Sequence, residues 1–112
     1  MLRRVADDRE LAQMVVSAFS SDIGNRLDEM DLAITNRDLA AMCRIAHTVK
    51  GAASNVSADT LVTLARLIEA GAELGDWKYV VERVQDLKAG VTGYREVLRT
   101  RGWLPTNEEK PA

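Results

Sequence analysis

The run Leu39-Ala40-Ala41-Met42-Cys43-Arg44-Ile45-Ala46-His47-Thr48-Val49-Lys50-Gly51-Ala52-Ala53-Ser54-Asn55-Val56 places Leu39, Met42, Ala46, Val49, Ala53 and Val56 at spacings of three or four. That period marks one buried face of an α-helix. The same spacing continues on both sides. Upstream, Leu11, Val15, Phe19, Ile23, Leu27, Met30 and Ile34 form a stripe that begins after the acidic pair Asp7-Asp8, where the helix dipole favours a first turn. Ser20-Ser21-Asp22 could cap a new helix, which leaves open one long helix or a short extra N-terminal helix before a second. Asn36-Arg37-Asp38 reads as a turn and N-cap. Downstream, Ser57 is positioned to cap a helix carrying Leu61, Leu64, Leu67, Ile68 and Leu74, and Gly75-Asp76 makes the next turn and cap. The last stripe is Trp77, Val80, Val84, Leu87, Val91, Tyr94 and Leu98, with Gly102 as its stop.

Proline occurs only at Pro105 and Pro111, and sustained period-two alternation, Asn-Gly turns and glycine-rich phosphate loops are absent. One Phe, two Trp and two Tyr are few for a β-sandwich core. The expected fold is all-α: an antiparallel up-down four-helix bundle over residues 1–105, with a polar, disordered tail at 106–112.

Composition narrows the function classes. With 112 residues the chain fits one domain, and 46% hydrophobic residues can build its core. A net charge of −2 argues against nonspecific binding to nucleic acid or to an anionic membrane. A single Cys and a single His are too few for a zinc site of about four N/S ligands, so no metal ligands are assigned. One Cys also cannot close an intrachain disulfide, which points to a reducing, cytoplasmic compartment. No apolar run reaches the ~20 residues of a membrane span, and Met1-Leu2-Arg3-Arg4 runs into Asp7-Asp8-Arg9-Glu10, unlike a signal peptide.

The one imidazole is therefore worth placing. At about 100° per residue, His47 falls roughly 130° from the centre of the buried face, on the polar side of its helix. A lone helical His is most often solvated or a satisfied packing residue. Three local details point elsewhere. Lys50 lies at i+3, within reach of an anion on the ring. Gly51 lies at i+4, where it costs ~1 kcal/mol relative to Ala and would clear an approach for another protein. Ala40, Ala52 and Ser54 keep that surface low.

The run Ala46-His47-Thr48-Val49-Lys50-Gly51 through Val56 resembles the signature of histidine-containing phosphotransfer (HPt) domains of two-component phosphorelays. The similarity extends over about residues 7–100, with Leu61, Leu64, Ala65 and Ile68-Glu69 matching the following helix. Val49 stands for the usual Leu and Ser57 for the usual Gly, so a hydroxyl cap is expected at that corner in place of a left-handed turn.

The resemblance implies that His47 accepts a phosphoryl group through Nε2 from a receiver-domain aspartyl phosphate and passes it to another receiver. It implies Lys50 as the stabiliser of phosphate charge, and Glu69, 22 residues after His47, as a hydrogen-bond acceptor that orients the ring. Arg44, Gly51 and Ser54 are the expected partner-binding residues, with Arg66 on the flank. The implied protein is a phosphocarrier without its own ATP site, not an enzyme. It binds no cofactor, the Mg²⁺ sitting on the receiver. Its partners are response-regulator receivers and a hybrid sensor histidine kinase; it is expected to be a monomer with no leftover apolar stripe. Two alternatives stay open: the phosphoacceptor domain of a chemotaxis-type or hybrid kinase, and a receiver-docking bundle that carries no phosphate. Of the other residues, Cys43, Met30, Trp77 and Tyr94 are expected to pack, Asp28, Glu29 and Asp31 to be solvated, and the place of Trp103 is open.

Overall fold

The computed structural model describes residues 2–104, with side chains from residue 9 onward. The expected tail at 106–112 lies outside the described residues. Four helices follow one another: α1 (Leu2–Asn36), α2 (Leu39–Asn55), α3 (Asp59–Glu73) and α4 (Trp77–Thr100). There is no strand among the described residues. Helix α2 packs on α3, α3 on α4, and α1 on both α2 and α4, so the four close into an up-down bundle.

The core is the set of stripes read from the sequence. Ile23, Met30, Met42, Val49, Leu61, Ile68, Val80, Val84, Leu87 and Val91 are its largest fully buried side chains. Truncating one such residue to Ala typically costs ~2–5 kcal/mol, so the bundle depends on this face remaining apolar. Small residues let α2 and α3 close up: Ala46, Ala53, Ala65 and Ala72 are all buried. Gly71 does the same against α4, since a Cβ there would lie 2.8 Å from the Tyr79 ring. Phe19 and Tyr94 meet edge-on, ring centroids 5.7 Å apart, and tie α1 to α4. Cys43 is half-buried, as expected of a packing residue, and burial pushes its thiol pKa up.

Asp38 caps α2 by accepting from the Ala41 N–H at 3.0 Å, and Asp76 caps α4 by accepting from the Tyr79 N–H at 3.1 Å. Gly75 (φ 74°) and Gly102 (φ 78°) take the left-handed turns that end α3 and α4.

Several expectations are corrected. Helix α1 starts at Leu2, ahead of the acidic pair, and runs unbroken through Ser20-Ser21-Asp22, so there is no separate short N-terminal helix. Ser20 caps nothing: it is buried and takes the Arg95 Nε–H on its hydroxyl at 3.2 Å and a second guanidinium N–H on its carbonyl. Asp31 keeps its side chain 49% exposed, as expected of a solvated acid, and in addition pairs with Lys88 of α4 at 2.8 Å. Leu74 is 84% exposed because α3 ends before it. Ser57 does not cap α3 with its hydroxyl. It adopts φ 56° itself, and Ala58 occupies the N-cap with no side-chain bond. The left-handed corner therefore survives the loss of glycine, at a steric cost of ~1–2 kcal/mol.

At 35 residues α1 is the longest helix, about 52 Å by rise per residue. Its first half has less bundle to lean on, and Leu11, Met14 and Val15 are exposed although Leu11 and Val15 continue the stripe. The expectation of no leftover apolar surface fails there. Trp103 folds back beyond α4, half-buried, with the Arg9 guanidinium 5.6 Å from its ring.

Candidate functional site

Helix α2 turns Met42, Ala46, Val49 and Ala53 inward, and this fixes where its other residues project. His47 comes out on the opposite side with its side chain 68% exposed. Antiparallel packing brings α3 alongside, and Glu69 reaches across from it. The His47 Nδ1 and a Glu69 carboxylate oxygen, Oε2, lie 3.2 Å apart. The other oxygen, Oε1, accepts from the Lys50 ammonium at 3.0 Å. One carboxylate thus holds both the imidazole and the neighbouring cation.

The electrostatics follow from that sharing. The Glu69 side chain is only 19% exposed, and burial alone would push its pKa up. The hydrogen bond from Lys50 outweighs burial and, with the charge of Lys50 and the bond from His47, holds the carboxyl below its ordinary value of 4.5. At neutral pH Glu69 is therefore a carboxylate and can only accept. Facing an obligate acceptor, Nδ1 carries the proton of the neutral ring, and the lone pair is left on Nε2. A neutral imidazole with Nε2 free is a competent nucleophile.

The sequence-derived site residues fall into two groups. His47, Lys50 and Glu69 come together as one hydrogen-bonded set. Arg44, Gly51, Ser54 and Arg66 are exposed around it. The hydroxyl of Thr48 bonds back to the Arg44 carbonyl at 3.1 Å, so it is occupied within the helix. A Cβ added at Gly51 would meet no heavy atom within 4 Å, so no packing within the described fold requires glycine there. The Cys43 thiol lies 3.9 Å from the Glu69 carbonyl and belongs to the seam under the site.

Two features were not read from the sequence. The first is the Lys50–Glu69 bond: the sequence reading gives Lys50 only an incoming anion, yet its ammonium donates to the Glu69 carboxylate. The i, i+3 placement of His47 and Lys50 could have revealed it, since a carboxylate reaching one from a neighbouring helix can reach the other. The second is a groove of about 410 Å³ between α1 and α2, lined in part by Arg26, Leu32, Arg44, Ile45 and Thr48. Leu32, on the outer face of α1, is 60% exposed.

Among the described residues no group of three or more His, Cys, Asp or Glu is placed to hold a metal ion. No helix among them is long and apolar enough to cross a membrane. The protein-family model that matches the chain is the Hpt domain, over residues 14–96. Comparisons with curated proteins and with solved structures return no match.

Proposed function

The chain belongs to the Hpt domain family, whose members are phosphocarrier modules of two-component signalling that meet response-regulator receiver domains, and on that premise we propose that His47 is the residue that carries the phosphoryl group. The observation that supports this most is the bond between His47 Nδ1 and the Glu69 carboxylate on an otherwise exposed ring.

The chemistry would run as a direct exchange. The Nε2 lone pair attacks the phosphorus of a receiver's aspartyl phosphate. An Nε2–P bond forms as the P–O bond to the aspartate breaks, and the aspartate leaves as a carboxylate. The Nδ1 proton stays where it is. The phosphorylated ring, protonated at Nδ1, gains positive charge that the Glu69 carboxylate is placed to balance. Lys50, at Glu69 beside the ring, supplies the cation for the new phosphoryl oxygens. Reversal toward a second receiver returns the neutral imidazole. Mg²⁺ would be the receiver's contribution. Every group this route needs from the carrier comes from a single chain, and in this reading the carrier is a cytoplasmic monomer with Arg44, Gly51 and Ser54 under the partner. The chain itself supplies no ATP chemistry in this scheme, and a hybrid sensor kinase would feed it through its receiver.

The test is transfer of label from phosphorylated receiver domains. Wild type should acquire acid-labile, base-stable phosphate and His47→Gln should acquire none, with both showing the same helical circular dichroism. Equal labelling of the two proteins would overturn the assignment.

A further inference from the structure

Glu69 bonds both the ring and the Lys50 ammonium, so whatever fixes Glu69 fixes the state of His47. Helix α2 grips this residue on three successive turns. Cys43, His47 and Lys50 stand at i, i+4 and i+7, within about 60° of one another around the helix. His47 Nδ1 meets Oε2 at 3.2 Å and Lys50 Nζ donates to Oε1 at 3.0 Å, both at the flexible end of the side chain. Cys43 instead meets the backbone. Its Sγ lies 3.9 Å from the Glu69 carbonyl oxygen, a reach that suits a thiol donating its S–H. Resting on the carrier reading above, we infer that Cys43 is a positioning residue for the phosphoryl-accepting ring, its thiol setting the separation of α2 and α3 at which the Glu69 carboxylate meets Nδ1.

Distance decides how much this matters. The His47–Glu69 contact, at 3.2 Å, is at the long end of the N–H···O range, and at ~3.6 Å it would no longer be a hydrogen bond. A retreat of α3 by about 0.4 Å is therefore enough to lose it. The Lys50 bond at 3.0 Å limits how far the carboxylate can swing to follow the ring. The seam has little slack to absorb such a retreat, because Ala46 and Ala72, buried in it, have nothing to give up to a larger neighbour. The thiol is also in the right protonation state. Burial first, then the carboxylates of Glu73 and Glu69, push its pKa above the ordinary value of 9.0. At neutral pH it keeps its proton and does not repel Glu69.

The experiment reads the ring with and without a phosphoryl donor. ¹⁵N spectra of the imidazole give the tautomer with no donor present. Transfer is then timed from two donors: purified receiver domains loaded from acetyl phosphate, which must dock, and phosphoramidate, a small molecule that need not. Cys43→Leu, which wedges the seam, should shift the ring proton from Nδ1 toward Nε2. It should slow labelling from both donors by about tenfold, the lower end of the loss when the group orienting a functional histidine is disturbed. Cys43→Ser keeps a donor without added bulk and should retain at least about half of the wild-type rate. In a Glu69→Ala background Cys43→Leu should change the rate by less than about twofold, because its effect runs through Glu69. Helical circular dichroism checks the fold, and should Cys43→Leu fail to fold, Cys43→Val, a smaller wedge with no donor, should shift the tautomer in the same direction. A wild-type tautomer in the folded variants would overturn the inference, as would a loss seen from the receiver alone or an equal loss in the Glu69→Ala background. A wild-type protein that takes label from phosphoramidate and from no receiver would overturn the carrier reading, and the transfer role of Cys43 with it, whatever the tautomer shows.

Discussion

The two flanks of His47 are built differently. Toward α3 the ring is bonded: a mostly buried carboxylate accepts at Nδ1 and is itself held by Lys50. Toward α1 the surface is open, a groove with an exposed leucine and a guanidinium without a carboxylate partner among the described residues. The first flank sets which nitrogen of the neutral ring carries the proton. The second holds no bond to the ring. On the proposed carrier reading the chemistry of the ring rests on the bonded flank, and substitutions on the two sides can be compared.

The largest effect should come from the bonded flank. Glu69→Ala removes the acceptor at Nδ1, and transfer to His47 should slow about 10–100-fold, the usual loss when the group orienting a functional histidine is removed. Glu69→Gln should recover part of that rate, because its amide oxygen can still accept the Nδ1 proton. Rapid-quench labelling measures the rate, and ¹⁵N spectra of the imidazole report the tautomer. Wild-type kinetics in Glu69→Ala would remove the distinction between the flanks.

A smaller effect concerns stability against pH. The folded pKa of Glu69 lies below its ordinary value of 4.5, with the Lys50 bond as the largest cause. A depressed carboxyl stabilises the fold above its unfolded pKa and loses that contribution as pH falls through the folded value. Wild type should thus exceed Glu69→Gln in stability by at most about 1 kcal/mol at neutral pH, and the gap should close below about pH 4.5. Denaturant titrations across pH 3–7 check this. Lys50→Met should raise the Glu69 pKa toward the ordinary range, as read by carboxyl ¹³C shifts.

On the open side, Gly51→Ala should stabilise the bundle by about 0.5–1 kcal/mol, because a Cβ there meets nothing and helix propensity improves. Gly51→Phe should cut transfer from receivers while leaving labelling by phosphoramidate intact. Thermal melts and the two-donor assay measure the pair. A loss of stability in Gly51→Ala would mean that glycine serves the fold and not the approach.

The smallest effect lies away from both flanks. Ser57→Gly should relieve the left-handed strain at φ 56° for a net gain of about 0.5 kcal/mol, after glycine's own entropic cost. Ser57 lies ten residues beyond His47, about 15 Å along the helix direction, so transfer should not change.

Much of this was legible in the chain. The α2 stripe, the Asp38 and Asp76 caps and the Gly75 turn are local, and local periodicity and turn chemistry report them. Of the two readings open at Ser20-Ser21-Asp22, one long helix is the one α1 adopts, and Ser20 meets Arg95, a contact 75 residues away that no local pattern encodes. Leu11 and Val15 continue the stripe yet stay exposed, because periodicity tells which face a helix would bury, not whether a neighbour is present to bury it. Leu74 continues the α3 stripe in the same way, and its helix stops one residue short. At the site, His47 and Lys50 followed from one helix, and Glu69 from the family pattern. The bond between Lys50 and Glu69 did not follow, because it depends on how closely α2 and α3 approach.

Trp77 lies where α3 turns into α4, with the Arg37 guanidinium 5.6 Å from its ring, while Trp103 lies past the far end of α4 against Arg9. The chain thus carries one indole near each pole of the bundle and none along the barrel between them. Fluorescence of Trp77→Phe and Trp103→Phe would then follow melting of the two poles independently. Fraying at the pole of Trp103 could be timed apart from the pole where α1 meets α2, with no dye attached near His47.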